Sequence, residues 1–249
     1  MMRLPVRIIF TLAAVIAVSL GTGTLLWAQS SSSQSSSGQT TSSQTTSNQG
    51  SINVPYTPTD PLAGVRYDNR YDLYVGAAYD HMKAGPTLLQ GSNLGGLDFS
   101  GSYWLTKRWG MEGTARGYFG NSGAGPNATF IKGPYVAQYF FDAGPEWLGP
   151  HNKHGDLIAH VLVGGVGGDF EHDLRGTPAS AVAFYNNQVA FSAIMGGHFD
   201  LNRSARWVFR VTPDAMLTDY KIQYYPNYSQ IDINFAISVG FEYKFKKKR

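Results

Sequence analysis

Cysteine is absent from the 249 residues, so no disulfide supports the chain, and stability must come from a continuous hydrogen-bonded framework. Charge is scarce too: 15% of residues are Asp, Glu, Lys or Arg, against roughly 25% in an average soluble domain. Beyond Val65 no segment carries the long 3.6-residue periodicity of an amphipathic helix, which argues against a helical body. A basic face is missing as well. Of the net charge of +3, two units are Arg3 and Arg7 near the start and four are Lys246, Lys247, Lys248 and Arg249. The body between them is slightly acidic and cannot track phosphates, so nucleic acid is excluded as a partner.

The chain is instead rich in glycine (29 residues) and in aromatic residues (14%). Residues 1–28 show a basic start, an apolar stretch over 8–20 and a cleavage site at Leu26-Trp27-Ala28, which is the layout of a secretory signal peptide. Gly21-Thr22-Gly23 ends the apolar stretch short of the ~20 residues that a spanning helix needs. No Cys follows the site, so a lipoprotein anchor is excluded. Residues 29–65 read as a periplasmic linker: Ser, Thr, Gln, Gly and Asn dominate to about residue 50, then Pro55, Pro58 and Pro61 stiffen the chain. Such a segment has too few apolar side chains to offset the entropy of ordering, so it is expected to be disordered.

From there on the period is two. In the last segment Ile231, Ile233, Phe235, Ile237, Val239, Phe241, Tyr243 and Phe245 form one face, and Asp232, Asn234, Ala236, Ser238, Gly240, Glu242 and Lys244 the other. Successive strand side chains point to opposite sides, so this ribbon is apolar on one side and polar or small on the other. Its length suits a tilted membrane strand of ~9–11 residues plus its ends. Seven further segments follow the same template, at about 70–80, 95–106, 109–119, 132–142, 157–169, 188–200 and 206–219.

Eight strands predict an all-β fold, an eight-stranded antiparallel up-and-down transmembrane β-barrel over 66–245, followed by a basic tail at 246–249. Tight turns after 105 and 200, with a longer link at 144–155, mark the periplasmic end. Longer loops at 81–94, 120–131, 170–187 and 220–230 mark the outer end. Tyr71, Tyr103, Trp109, Tyr139, Phe141, Trp207, Tyr243 and Phe245 are assigned to the periplasmic strand ends on the outer face, at the membrane interface. A soluble β-sandwich or lipocalin-like barrel shows the same alternation with its faces reversed. Long strands, low charge and aromatic clustering favour the membrane.

With lipid outside, the polar face lines the lumen. Besides Asp72 and Asp98, it comprises Glu112, Arg116, Gln138, His160, His198, Arg206, Arg210, Asp214, Glu242 and Lys244, in which both signs are comparably frequent. Eight strands enclose only enough room for side chains, so a plug of ion pairs is expected, with Glu112–Arg116 and Arg210–Glu242 as pairs. No nucleophile stands beside a base, so no catalytic residue is assigned. His151 and His154 lack a carboxylate cluster, His160 and His198 are given structural roles, and no metal or cofactor is expected. Two functions remain open: a structural or surface-interaction barrel, or a narrow channel for small solutes. A barrel-embedded lipid-modifying enzyme ranks below both. The loops 170–187 and 220–230, the latter with Tyr220, Tyr224, Tyr225 and Tyr228, are the expected outward contact surfaces for an extracellular ligand.

Three stretches carry a family resemblance. Tyr139-Phe140-Phe141-Asp142-Ala143-Gly144-Pro145 is followed by Ile158-Ala159-His160-Val161-Leu162-Val163-Gly164-Gly165. A second stretch runs from Phe191 through Met195-Gly196-Gly197-His198-Phe199-Asp200 to Val208-Phe209-Arg210-Val211, and the third is the closing Ile237-Ser238-Val239-Gly240-Phe241-Glu242-Tyr243-Lys244-Phe245. Over about residues 66–245 the chain resembles the small porin-like outer membrane β-barrel proteins of the OmpA/OmpX type. The resemblance implies a bacterial outer-membrane location, a monomer, and outer membrane lipids and the barrel assembly machinery as partners. Members commonly end on an aromatic residue, whereas here Phe245 is followed by the four basic residues.

Overall fold

The structure, a computed structural model, describes residues 60–86, 88, 91–124, 131–222 and 229–245, with backbone alone at 229 and 230. The expected signal peptide, most of the linker, the basic tail, and Tyr224, Tyr225 and Tyr228 lie outside the described residues.

Alternating side chains with few helix-forming runs leave the backbone one way to satisfy its polar groups, which is strand pairing. Eight strands do so in chain order: β1 (Tyr71–Met82), β2 (Ser92–Trp104), β3 (Trp109–Asn121), β4 (Tyr135–His151), β5 (Gly155–Asp169), β6 (Gln188–Asn202), β7 (Trp207–Lys221) and β8 (Ser229–Lys244). Every neighbouring pair is antiparallel, and β1 closes on β8 from Asp72↔Lys244 to His81↔Phe235. Closure leaves no strand edge unpaired, which a sheet in hydrocarbon requires.

One strand departs from the expectation. Gly144-Pro145 reads locally as a turn, yet β4 continues through it to His151, and the link becomes a tight turn at 152–154. Pro145 faces outward and costs only a local interruption, since the β4–β5 ladder steps from Ala143↔Val163 to Glu146↔His160. Pro213 sits at a similar interruption between β6 and β7, where pairing steps from Gly196↔Asp214 to Phe199↔Val211. The longer β4 also corrects two aromatic assignments. Phe141 lies within the strand and Tyr139 towards its loop end, packed on Phe119 at 5.5 Å. Trp147, opposite Trp109, holds the turn-end position instead.

The other assigned aromatics gather at the turn end. Tyr71 stacks near Tyr103 (centroids 5.1 Å), Trp207 near Tyr243 (5.1 Å) and Tyr243 near Phe245 (5.0 Å). The turns 105–108, 152–154 and 203–206 all lie at this end, and the 170–187 connection lies at the other, where β1, β3 and β7 end and β2, β4 and β8 begin.

Candidate functional site

Period two sends alternate residues into the lumen, and there they form layers. Nearest the turn end, Asp72 accepts hydrogen bonds from Trp104 Nε1 (2.6 Å) and from Asn69, while Lys244 Nζ meets Asp156 at 3.2 Å. Tyr67, on the segment leading into β1, donates to the Asn152 carbonyl (2.7 Å) and lies under Lys244, whose Nζ is 4.9 Å from the ring centroid. Burial pushes the Tyr67 phenol above its usual pKa, and Asp156 beside it adds to the shift. Tyr67, Asn69, Asp72, Trp104, Asp156 and Lys244 line a pocket of about 10 Å³ at this end, room for about one water.

The next layer centres on Arg210, whose Nε and Nη2 both donate to Asp200 at 2.7 Å. Its Nη2 also lies 2.9 Å from Glu242, and the guanidinium stacks 5.5 Å from the Tyr74 ring centroid. The Arg210–Glu242 pair is therefore present, with Asp200 as the stronger, bidentate partner. Arg116 does not pair with Glu112. It reaches Asp98 (3.3 Å) on the neighbouring β2 and Asp214 (2.5 Å) on β7, because residues four apart on one strand are further apart than groups facing each other across a narrow lumen. Glu112 meets His160 and His198 instead. Asp214, beyond holding Arg116, accepts a hydrogen bond from His160 Nε2 at 2.9 Å. Gly196 lies against this carboxylate; a Cβ there would press on Asp214 Oδ1 and the Pro213 carbonyl.

Arg206 is a correction. It lies in the exposed β6–β7 turn, one residue before β7 begins, and its Nη1 donates to Tyr243 Oη at 3.1 Å on the outer face. The charge balance is another. Among the described residues the buried acids Asp72, Asp80, Asp98, Glu112, Asp142, Glu146, Asp156, Asp200, Asp214, Asp232 and Glu242 outnumber the buried bases Arg116, Arg210, Lys244, His160 and His198. The lumen is acidic rather than balanced.

Towards the loop end the lumen turns apolar. Leu94, Tyr118, Phe140, Leu162, Val166, Ile194 and Met216 form a core that the β5–β6 loop completes with Phe170, Leu174, Val182, Phe184 and Tyr185. A short 3-10 helix at Ala179–Val182 brings these side chains down, and Ala183 ends it in a left-handed conformation (φ 60°). Tyr220 belongs to this core rather than to an outward contact surface: it is fully buried, packs 5.2 Å from Phe170 and accepts from Gln138 Nε2 at 2.8 Å. Thus the 170–187 loop turns its large apolar residues inward, and His172, Asp173, Arg175 and Ser180 are among the residues it leaves exposed, with the small Pro178 and Ala181 beside them. Its run of large apolar residues was a sequence signal for a cap.

The outer wall is the reverse of the lumen. Leu73, Phe99, Phe141, Val163, Phe191, Ile233 and Phe241 each leave about half or more of their surface exposed, while Arg210 and Glu242 are almost fully enclosed. In water such a wall would expose about 1.5–3 kcal/mol of unfavourable transfer per large side chain; in hydrocarbon it costs nothing. The protein is a transmembrane β-barrel.

Solved structures with a similar strand arrangement come from bacterial outer membranes. The attachment invasion locus protein Ail of Yersinia pestis shares 18% identity, with 71% of this chain and 99% of that one covered, at a TM-score of 0.44. Neisserial surface protein A shares 13% (70% and 97% covered, TM-score 0.46) and the outer membrane protein OprG of Pseudomonas aeruginosa 11% (72% and 97%, 0.46). Identities this low assign no function. No protein-family model matches the barrel sequence, and no curated protein does.

Proposed function

We propose that this transmembrane barrel is a non-conducting anchor and surface-interaction protein of the bacterial outer membrane. In this reading it is exported by the 1–28 signal segment and inserted with the first and last strands both opening into the periplasm and the longer loops outside. The carrying observation is occlusion at three levels: Phe170, Leu174, Phe184 and Tyr185 at the loop end, the Arg210–Asp200–Glu242 cluster below, and Tyr67 with Trp104 at the turn end. An eight-stranded wall encloses an interior only just wide enough for side chains to fill. The polar outer side of the 170–187 cap is the surface offered to an extracellular ligand, and lipids with the insertion machinery are the remaining partners. The competing reading, a narrow channel, draws on the polar lower lumen but needs the apolar cap to leave.

Planar-bilayer recording on the refolded mature protein tests this. The expected result is silence in potassium, sodium and calcium salts alike. Steady single-channel steps at modest voltage would overturn it.

A further inference from the structure

We propose that Glu112, His160 and His198 form a binding site for a first-row divalent transition-metal ion inside the lumen. Three strands bring them together: β3 supplies Glu112, β5 His160 and β6 His198, all buried and inward-facing. Glu112 Oε2 lies 2.8 Å from His160 Nδ1 and 3.1 Å from His198 Nε2, and the two ring nitrogens are 3.2 Å apart. Three donor atoms at the corners of this triangle match one face of a coordination shell. Bonds of about 2.0–2.1 Å place neighbouring ligand atoms about 2.9–3.4 Å apart, between octahedral and tetrahedral geometry. An ion so bound stands about 1 Å out of the triangle's plane, which leaves its far side open to a further ligand.

The surroundings orient the donors as metal-site surroundings do. His160 turns its other nitrogen to Asp214 (2.9 Å), a carboxylate anchored by Arg116, and His198 turns its Nδ1 to Thr212 Oγ1 (2.9 Å). An imidazole donating through its outer nitrogen presents a lone pair through its inner one, and such partners set both tautomer and ring angle. Both inner nitrogens lie within 3.1 Å of the same oxygen, Glu112 Oε2, and Glu112 Oε1 has no hydrogen-bond partner among the described residues. Two imidazoles with one carboxylate suit zinc, iron, nickel or copper, and not calcium or magnesium, which take oxygen ligands.

Because all three residues are buried inside the barrel, loading is done during folding. The tag-free mature protein is refolded into detergent with Co²⁺ or Zn²⁺, stripped of loose metal by gel filtration, and assayed by elemental analysis and visible absorption. The expected result is about one ion per folded chain, with Co²⁺ d–d bands of a low-symmetry nitrogen–oxygen site. Thr212→Val, which touches no metal, weakens binding about 10–100-fold, and the double variant His160→Gln, His198→Gln abolishes it. A folded wild-type barrel that retains no Co²⁺ or Zn²⁺ overturns the proposal and leaves the triad as a proton-filled hydrogen-bond cluster. Unchanged binding in a folded double variant overturns it equally. Should the double variant not fold, the wild-type stoichiometry and spectrum decide alone.

Discussion

Arg210→Met tests the claim that the lower lumen is held by paired charge. The guanidinium makes two 2.7 Å bonds to Asp200, lies 2.9 Å from Glu242, and is about 1% exposed. Methionine fills most of the same length, so the cavity contribution is small and the effect is electrostatic. Removing one partner of a buried ion pair costs about 3–5 kcal/mol, because the remaining charge stays in a low-dielectric site. Here two carboxylates are stranded together, which favours the upper part of that range; proton uptake by one of them limits the loss. Equilibrium urea unfolding in phospholipid vesicles, followed by tryptophan fluorescence and approached from both directions, gives the free energy. A compensated variant, Arg210→Met with Asp200→Leu and Glu242→Leu, recovers to within about 1 kcal/mol, since a well-packed apolar triad removes the desolvation cost with the charges. A loss under about 1 kcal/mol in the single variant would refute the reasoning, as would a triple variant worse than the single.

Two further outcomes follow from the wall. Val163, outward-facing in the middle of β5, should lose about 2–4 kcal/mol on replacement by Arg, and Val189, at the loop end of β6, only about 0–1 kcal/mol; equal losses in vesicle unfolding would contradict the assigned depth. Single-tryptophan variants retaining Trp109, Trp147 or Trp207 should be quenched more by lipids brominated near the headgroup than by those brominated mid-chain. Trp104, bonded to Asp72 inside the wall, should respond weakly to either.

Much of the architecture was legible because period two is a direct consequence of backbone geometry. The last segment shows it: Ile231, Ile233, Phe235, Val239 and Phe241 are exposed, while Asp232, Asn234, Ser238, Glu242 and Lys244 are buried. The misread element, β4, contains Gly144-Pro145 and Pro150, and local turn chemistry pointed the wrong way. A closed ladder with partners on both sides tolerates one lost N–H where an isolated hairpin would not, and that support is invisible in the local sequence. The cap failed for another reason. A connection between strands is normally polar and solvated, and Phe170, Leu174, Phe184 and Tyr185 depart from that rule by packing into the barrel.

The site divides along the same line. Alternation alone assigns Glu112, His160, His198, Arg116, Asp214 and Arg210 to the lumen, because a strand leaves each side chain one of two directions. Which of them meet is decided by strand tilt and closure, which set β3 against β5, β6 and β7 across a narrow interior. Hence Arg116 found Asp214 ninety-eight positions away rather than Glu112 on its own strand, and Glu112 was left to two histidines. The sequence by itself determined that there are eight strands with two unlike faces, a local consequence of backbone periodicity, and strand length, scarce charge and clustered aromatics favoured lipid against the apolar one. Only the tertiary structure decided the pairing of the charges, the sealing of the loop end and the meeting of the three metal-type ligands, since each depends on distances between groups far apart along the chain.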